Sequence, residues 1–132
     1  MESIELKNKI IISACLCGIK CRYDGKHKLN KKAFYLVQSG QAIALCPEVL
    51  AGLEIPRPAA DVIKGRVIEK SGKDVTEIYQ KGAEEAYNFC SNNNINIIKA
   101  ILKDGSPSCG RQGKFSKLLA SKNIKIEYSD KT

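Results

Sequence analysis

The chain reads as short apolar runs separated by segments with helical spacing. The runs at 9–14, 42–45 and 97–102 are mostly apolar, and the first is rich in β-branched isoleucine. Runs of this kind are typical of strands that are covered on both faces in a parallel sheet. A further strand is predicted at 124–128.

Helical segments are predicted between these strands. Asn30 can cap a helix over 31–37, for which Gly40 supplies the stop. The sequence Asp-Val-Thr-Glu at 74–77 fits a capping box and opens the longest helix, which the asparagines at 92–94 end. The apolar face of this helix holds Val75, Ile78, Tyr79, Ala83, Ala86, Tyr87 and Cys90.

The alternation of strands with helices sets the fold class. With a last helix over 115–122, the sequence predicts an α/β fold, a single three-layer doubly wound domain with a mainly parallel β-sheet over residues 1–132. A 43% hydrophobic composition can bury a core without disulfides. In the segment 47–73 the prolines, Pro47 among them, are expected to exclude a helix, and a small hairpin is predicted around Lys64.

The chain has six cysteines but no segment that resembles a signal peptide or a membrane span. Cysteines in such a sequence are expected to be reduced, which indicates a cytoplasmic protein whose thiols are available for metal binding or catalysis. Cys90 lies on the apolar helix face, where a free cysteine behaves as a small hydrophobic residue. It is therefore discounted as a ligand.

Three other cysteines, Cys15, Cys46 and Cys109, each follow a predicted strand. Parallel strands end at the same edge of a sheet, so these thiolates are expected to converge there. Together they would hold a metal and leave one coordination position open for chemistry. Cys17 and Cys21 share the loop of Cys15, but the chain has no C-x-x-C knuckle, which disfavours a zinc ribbon and a compact ferredoxin run.

The net charge is +8, and basic residues concentrate at 20–32 and 99–131, beside the cysteine segments. A positive field there would attract an anion such as a nucleotide phosphate or an RNA backbone. Arg22, Arg57 and Arg111 are the best candidates for substrate binding, because a guanidinium fork matches a phosphate. The other basic side chains are interpreted as solvated surface, and the absence of tryptophan disfavours a stacking platform for RNA.

Several motifs, in order along nearly the whole chain, carry a resemblance to a known family. The first motif is SACLCGIKCRYDG at 13–25, CPEV follows at 46–49, and the last motif ends in SPSCG at 106–110. They look like the thiouracil desulfurase family, long described as a domain of unknown function. The resemblance implies a [4Fe-4S] cluster held by Cys15, Cys46 and Cys109. It also implies non-redox removal of sulfur from a thiolated uracil compound, either thiouracil or a thiouridine nucleotide, to give the carbonyl product and hydrosulfide.

The resemblance further implies roles for single residues. Glu48 would deprotonate a water that attacks the thiocarbonyl carbon, and Ser106 would orient that water by a hydrogen bond. An iron without a protein ligand would accept the soft sulfur as a Lewis acid. Cys21 is an alternative cluster ligand.

This sequence differs from the usual family pattern in two places. Members usually carry a longer stretch after the Ser-Pro-Ser-Cys-Gly motif, so the wall on the substrate side is expected to be shorter here, and Cys17 stands where leucine is common.

One alternative function is a cysteine-rich metal-binding homologue without catalysis. Another is an RNA-directed sulfur-handling protein, and thiolated tRNA is an alternative substrate for the enzyme. A zinc site in such a homologue would use Cys15, Cys21, Cys46 and Cys109. The sequence leaves the oligomeric state open.

Overall fold

The structure, a computed structural model, describes residues 6–20, 23–25 and 29–129. This part of the chain forms six strands and four α-helices, with a 3₁₀ turn at Ala14–Cys17 after the first strand. In chain order they are β1 (Lys7–Ser13), α1 (Lys31–Gln38), β2 (Ala42–Leu45), α2 (Pro47–Leu50), β3 (Ala60–Ile63), β4 (Arg66–Glu69), α3 (Thr76–Asn92), β5 (Ile95–Lys103), α4 (Lys114–Ser121) and β6 (Ile126–Ser129). No helix within these described ranges has the length and hydrophobicity needed to cross a lipid bilayer.

Four of the strands form a wholly parallel sheet in the order β2-β1-β5-β6. On one face, Ile11 of β1 packs with Ala83 of α3 and Phe115 of α4. Its neighbour Ile12 points to the other face and packs with Ala33 of α1. Helices therefore cover both faces of the sheet, which confirms the predicted three-layer α/β fold with a mainly parallel sheet.

The strand order reverses between β1 and β5, in the middle of the sheet. From β1 the chain passes through α1 to β2 on one side, and from β5 it passes through α4 to β6 on the other. The loops after β1 and β5 therefore part at the carboxyl edge and leave a crevice, which is where open α/β sheets bind ligands. Burial also rises along both strands toward their carboxyl ends. The crevice thus lies on a well-packed part of the core.

Several local features agree with the sequence pattern. Asn30 caps α1, since its Oδ1 accepts a hydrogen bond from the backbone N–H of Ala33 at 3.0 Å. The predicted hairpin is present as the antiparallel pair of β3 and β4. Lys64 and Gly65 form its two-residue turn with φ angles of 50° and 79°, as a tight hairpin requires. Helix α3 ends at Asn92, within the predicted run.

Two local expectations are wrong. Pro47 is expected to exclude a helix but begins the one-turn helix α2, because a proline in the first turn lacks only an N–H that the helix would not use. The capping box at 74–77 is not formed, since α3 begins at Thr76 and the preceding Val75 provides no side-chain cap. Asp74 Oδ1 instead accepts hydrogen bonds from the backbone N–H and the hydroxyl of Thr76, at 2.9 and 2.6 Å.

Candidate active site

A cavity of about 250 Å³ opens at the carboxyl edge of the sheet. Cys15, Cys46 and Cys109 all contribute to its wall. Cys15 lies in the 3₁₀ turn after β1, Cys46 directly precedes α2, and Cys109 lies in the loop between β5 and α4. None of the three takes part in a disulfide. The doubly wound topology thus brings three distant cysteines to one place.

The donor set suits an iron-sulfur cluster. Cys15 and Cys109 are buried and Cys46 is half-buried, so the thiols face the cavity rather than bulk solvent. Within 6–20, 23–25 and 29–129, no three His, Cys, Asp or Glu side chains lie close enough to hold a single metal ion. A [4Fe-4S] cluster binds each thiolate through a different iron, so its ligands need not meet at one point. Cys21 lies outside the described residues.

The remaining described cysteines sit in packed surroundings. Cys90 is 1% exposed among the side chains of α3 and α4, and burial raises the pKa of its thiol to about 11. This confirms its interpretation as a core residue. Cys17 packs at the edge of the core on the α1 side, and burial raises the pKa of its thiol as well. Neither residue lines the cavity that holds Cys15, Cys46 and Cys109.

Glu48, the second residue of α2, places its carboxylate in the cavity wall with only 11% of the side chain exposed. Arg57 donates from Nε to Oε1 at 3.0 Å, and its Nη2 forms an ion pair with the same oxygen at 2.9 Å. The hydroxyl of Tyr79 also donates to Oε1, at 3.3 Å. The hydroxyl of Ser106 donates to the other oxygen, Oε2, at 3.1 Å. Three separate segments therefore converge on one buried carboxylate.

Tyr79 is a site residue that the sequence pattern did not reveal. Its position on the apolar face of α3 predicts a core residue, and the ring does pack with Val67 and Val75. The hydroxyl nevertheless reaches the cavity and Glu48. Burial, followed by the nearby Glu48 carboxylate, raises the pKa of Tyr79 far above its usual value, so the hydroxyl keeps its proton. The only signal in the sequence is that a buried tyrosine usually needs a polar partner.

Ser106 connects the carboxylate to the loop that carries Cys109. Its hydroxyl oxygen accepts hydrogen bonds from the backbone N–H groups of Ser108 and Cys109, at 3.0 and 3.1 Å, and its proton goes to Glu48. The loop is also closed tightly, since Gly110 N–H donates to the carbonyl of Ser106 at 2.9 Å. A side chain at Gly110 would place its Cβ 2.5 Å from that carbonyl oxygen. Glycine is therefore required there.

The candidate arginines have different surroundings. The side chain of Arg57 is only 5% exposed, and besides Glu48 it donates from Nη1 to the carbonyl of Glu54 at 3.1 Å. Arg111 is 64% exposed, and its guanidinium lies over the ring of Tyr128 at 4.4 Å from the centroid. Arg22 lies outside the described residues. Substrate binding by these arginines stays a prediction.

Two further cavity residues, Lys103 and Asp104, were not singled out from the sequence. Lys103 is 5% exposed and donates from Nζ to the carbonyl of Asp104 at 2.9 Å. Asp104 accepts from the backbone N–H groups of Gly105 and Arg111 and from Arg111 Nε, at 2.9, 3.1 and 3.0 Å. Burial opposes ionisation, but these hydrogen bonds and the guanidinium hold the pKa of Asp104 below its usual value. Their position just before Ser106 is the only hint in the sequence.

Comparison with known proteins gives three matches of wide coverage. The sequence model of a family described as 2-thiouracil desulfurase matches residues 10–127. The uncharacterized protein YbbK of Bacillus subtilis (strain 168) is 37% identical over 125 residues, which cover 87% of this chain and 82% of that protein. A solved structure of the [4Fe-4S]-dependent thiouracil desulfidase TudS is 39% identical, with a TM-score of 0.83 over 94% of this chain and 92% of that one.

Proposed function

Because the chain belongs to the 2-thiouracil desulfurase family, we propose that it catalyses [4Fe-4S]-dependent, non-redox desulfuration of a thiolated uracil compound. The reaction gives the carbonyl product and hydrosulfide. The predicted family is confirmed, the family and the solved relative support the predicted enzyme class, and the solved relative supports the predicted cofactor. The observation that carries the proposal is that Cys15, Cys46, Cys109, Glu48 and Ser106 all line one cavity.

Cys15, Cys46 and Cys109 are the residues that would hold the cluster, with Cys21 as the alternative ligand. Three thiolates leave one iron without a protein ligand. When bound, the cluster would supply a soft Lewis acid that polarises the thiocarbonyl group. The shared cavity and the absence of a disulfide at any of the three support this assignment.

Glu48 is proposed as the general base. A water adds its oxygen to the thiocarbonyl carbon; the carbonyl then forms as the carbon–sulfur bond breaks, and the second proton of the water leaves with the sulfur as hydrosulfide. Glu48 takes a proton from that water as it attacks, and no electron donor or acceptor is needed because the carbon keeps its oxidation state. A carboxylate that is buried and fixed by three partners is well placed for proton transfer.

Ser106 is proposed to act through Glu48. Its single proton is donated to the carboxylate, and its oxygen already accepts two backbone N–H groups. A serine hydroxyl offers one donor and two acceptor positions, so Ser106 has none left for a water in this arrangement. The hydrogen bonds support a role in holding Glu48 and the Cys109 loop in register. Direct orientation of the water by Ser106 stays a prediction.

For the substrate, we propose a thiouridine nucleotide in preference to the free base, with Arg22 among its contacts and thiolated tRNA as an alternative. A second cavity of about 410 Å³ adjoins the first and shares Asp61, Asp104 and Ser106 with it. Its wall also includes Arg111. This added space and the positive net charge support a substrate larger than the base and anionic.

We also propose a domain organisation and a cellular location. Residues 1–132 are proposed to form a single domain, in keeping with a parallel sheet that joins β1 near the start of the chain to β6 near the end of the described residues. A cytoplasmic location is proposed, because a cluster bound by thiolates needs reduced cysteines and the described cysteines form no disulfide.

The test is anaerobic turnover of thiouracil by the reconstituted protein without added reductant or oxidant. We expect uracil and hydrosulfide in equal amounts. Cys15→Ser, Cys46→Ser and Cys109→Ser should each abolish turnover, whereas Cys90→Ser should retain it as the matched control. Cluster-loaded protein that leaves both thiouracil and a phosphorylated thiouridine unchanged would contradict the proposal.

A further inference from the structure

The two oxygens of the Glu48 carboxylate have unequal partners. Oε1 accepts hydrogen bonds from Nε of Arg57 and the hydroxyl of Tyr79, and Nη2 of Arg57 makes an ion-pair contact with it at 2.9 Å. Within the described part of the chain, Oε2 receives a single donor, the hydroxyl of Ser106. A carboxylate offers about two acceptor positions on each oxygen. Oε1 is therefore fully used, and Oε2 retains room for one more hydrogen bond.

The inequality comes from the way Arg57 meets the carboxylate. A guanidinium often binds both oxygens of a carboxylate with two parallel hydrogen bonds. Here Nε donates to Oε1 and Nη2 also lies 2.9 Å from Oε1, so Arg57 leaves Oε2 uncovered. Arg57 is itself held in place, because its Nη1 donates to the carbonyl of Glu54 and its backbone N–H donates to the carbonyl of Tyr23, at 3.1 and 2.8 Å.

Tyr79 fixes the same oxygen from a different direction. It stands on α3, and its ring is locked by packing with Val67 and Val75. The raised pKa keeps its hydroxyl a donor, so the contact to Oε1 persists across ordinary pH. The carboxylate therefore cannot rotate to exchange its oxygens without breaking both hydrogen bonds to Oε1 and separating the ion pair with Arg57.

We propose that Arg57 and Tyr79 are positioning residues, which anchor Oε1 of Glu48 and so present Oε2 as the atom that takes the proton from water. The inference rests on the proposed function. It gives Arg57 a role different from the substrate contact that its charge suggested. It also gives Tyr79 a role beyond core packing.

The primary test is Tyr79→Phe, which keeps the ring in the core and removes only the hydroxyl. We expect iron content and KM to stay close to the parent values while kcat falls by roughly tenfold, as for one lost hydrogen bond to a charged group. Tyr87→Phe is the matched control, because Tyr87 lies on the same helix with its ring against Lys122. Its kcat should equal that of the parent.

A double-mutant cycle separates positioning from packing. If Tyr79 acts through Glu48, Tyr79→Phe should have no further effect on kcat in a Glu48→Gln background. An equal loss in both backgrounds would mean that the hydroxyl matters for the fold alone and would overturn the inference. A parent-like kcat for Tyr79→Phe would overturn it as well.

Arg57 is tested by Arg57→Met and Arg57→Lys, with Arg66→Lys as the control because Arg66 pairs with Asp74 at the exposed surface. We expect Arg57→Met to lower kcat and Arg57→Lys to restore part of it. A rise in KM at constant kcat would assign Arg57 to substrate binding instead. If the parent is active and any of these variants gives a contrary result, only this inference is overturned. If the cluster-loaded parent shows no turnover, the proposed function and this inference are both overturned.

Discussion

Replacement of Glu48 by glutamine tests the chemistry most sharply, because the two side chains have nearly the same shape and differ in charge and donor pattern. The amide cannot accept a proton from water at neutral pH. We expect turnover to fall by roughly two to four orders of magnitude, the usual contribution of a general base. The cluster and the bound thiolated substrate should both be retained, since the cysteine ligands are unchanged.

The cost to stability can be worked out from the contacts. An amide has one oxygen and one NH₂ group, whereas both carboxylate oxygens of Glu48 accept hydrogen bonds. If the amide oxygen faces Arg57, the NH₂ group faces the hydroxyl proton of Ser106. In the reverse orientation the NH₂ group faces the guanidinium of Arg57. One contact is lost either way, and Arg57 loses its counter-charge at a side chain that is 5% exposed. We expect a loss of roughly 2–3 kcal/mol in the free energy of unfolding.

That loss is compatible with a folded protein. Domains of this size unfold with about 5–15 kcal/mol, so the variant should remain native at room temperature. The melting temperature should fall by roughly 5–15 °C. Differential scanning calorimetry of anaerobic parent and variant gives this value, and iron analysis of the same samples gives the cluster content.

The assay compares kcat at equal cluster loading. A cluster-loaded Glu48→Gln protein that turns over at the parent rate would remove Glu48 from the mechanism. Loss of the cluster in this variant would make Glu48 a structural support for the ligands rather than a base.

Four further outcomes are expected. Ser106→Ala should lower kcat less than Glu48→Gln does at full cluster loading, because it removes a positioning hydrogen bond; an equal or larger loss would place Ser106 in proton transfer itself. A phosphorylated thiouridine should be used with a higher kcat/KM than thiouracil, and the advantage should shrink as salt rises; equal use at low and high salt would refute an anion-directed site. Asp104 has a lowered pKa in the fold, so its stabilisation is present above the unfolded value of about 3.9 and is lost as pH falls through the lower folded value. The stability difference between the parent and Asp104→Asn in chemical denaturation should therefore shrink in that acid range, and a difference that is constant with pH would contradict it. Gly110→Ala should destabilise the protein by roughly 1–3 kcal/mol and lower cluster content, since the added Cβ would lie 2.5 Å from the Ser106 carbonyl oxygen; a parent-like melting temperature would show that the loop can yield.

The fold and the meeting of the cysteines were predictable because both follow from local patterns. Apolar runs marked the parallel strands, and topology alone brings the ends of such strands to one edge. Residues 15, 46 and 109 could therefore be grouped before any distance was known. The one-turn helix at Pro47 was missed because a proline is compatible both with a loop and with a first helical turn.

The contacts around Glu48 could not be predicted in the same way. Tyr79 and Ser106 lie 31 and 58 residues from Glu48 in the chain, and no periodicity relates them. Arg57 is closer in sequence, but its charge is equally suited to a phosphate or a carboxylate. The partner of Arg57 depends on how the irregular segment after α2 folds back over the cavity. The sequence of a proline-rich loop carries little information about that conformation.

The most direct test of the central claim is the metal content of anaerobically reconstituted protein. We expect a brown protein with about four irons and four acid-labile sulfides per chain, as a cluster held by Cys15, Cys46 and Cys109 requires. Cys15→Ser should lose that cluster and Cys90→Ser should keep it. Stoichiometric zinc without acid-labile sulfide would contradict the account and leave a colourless metal-binding homologue in its place.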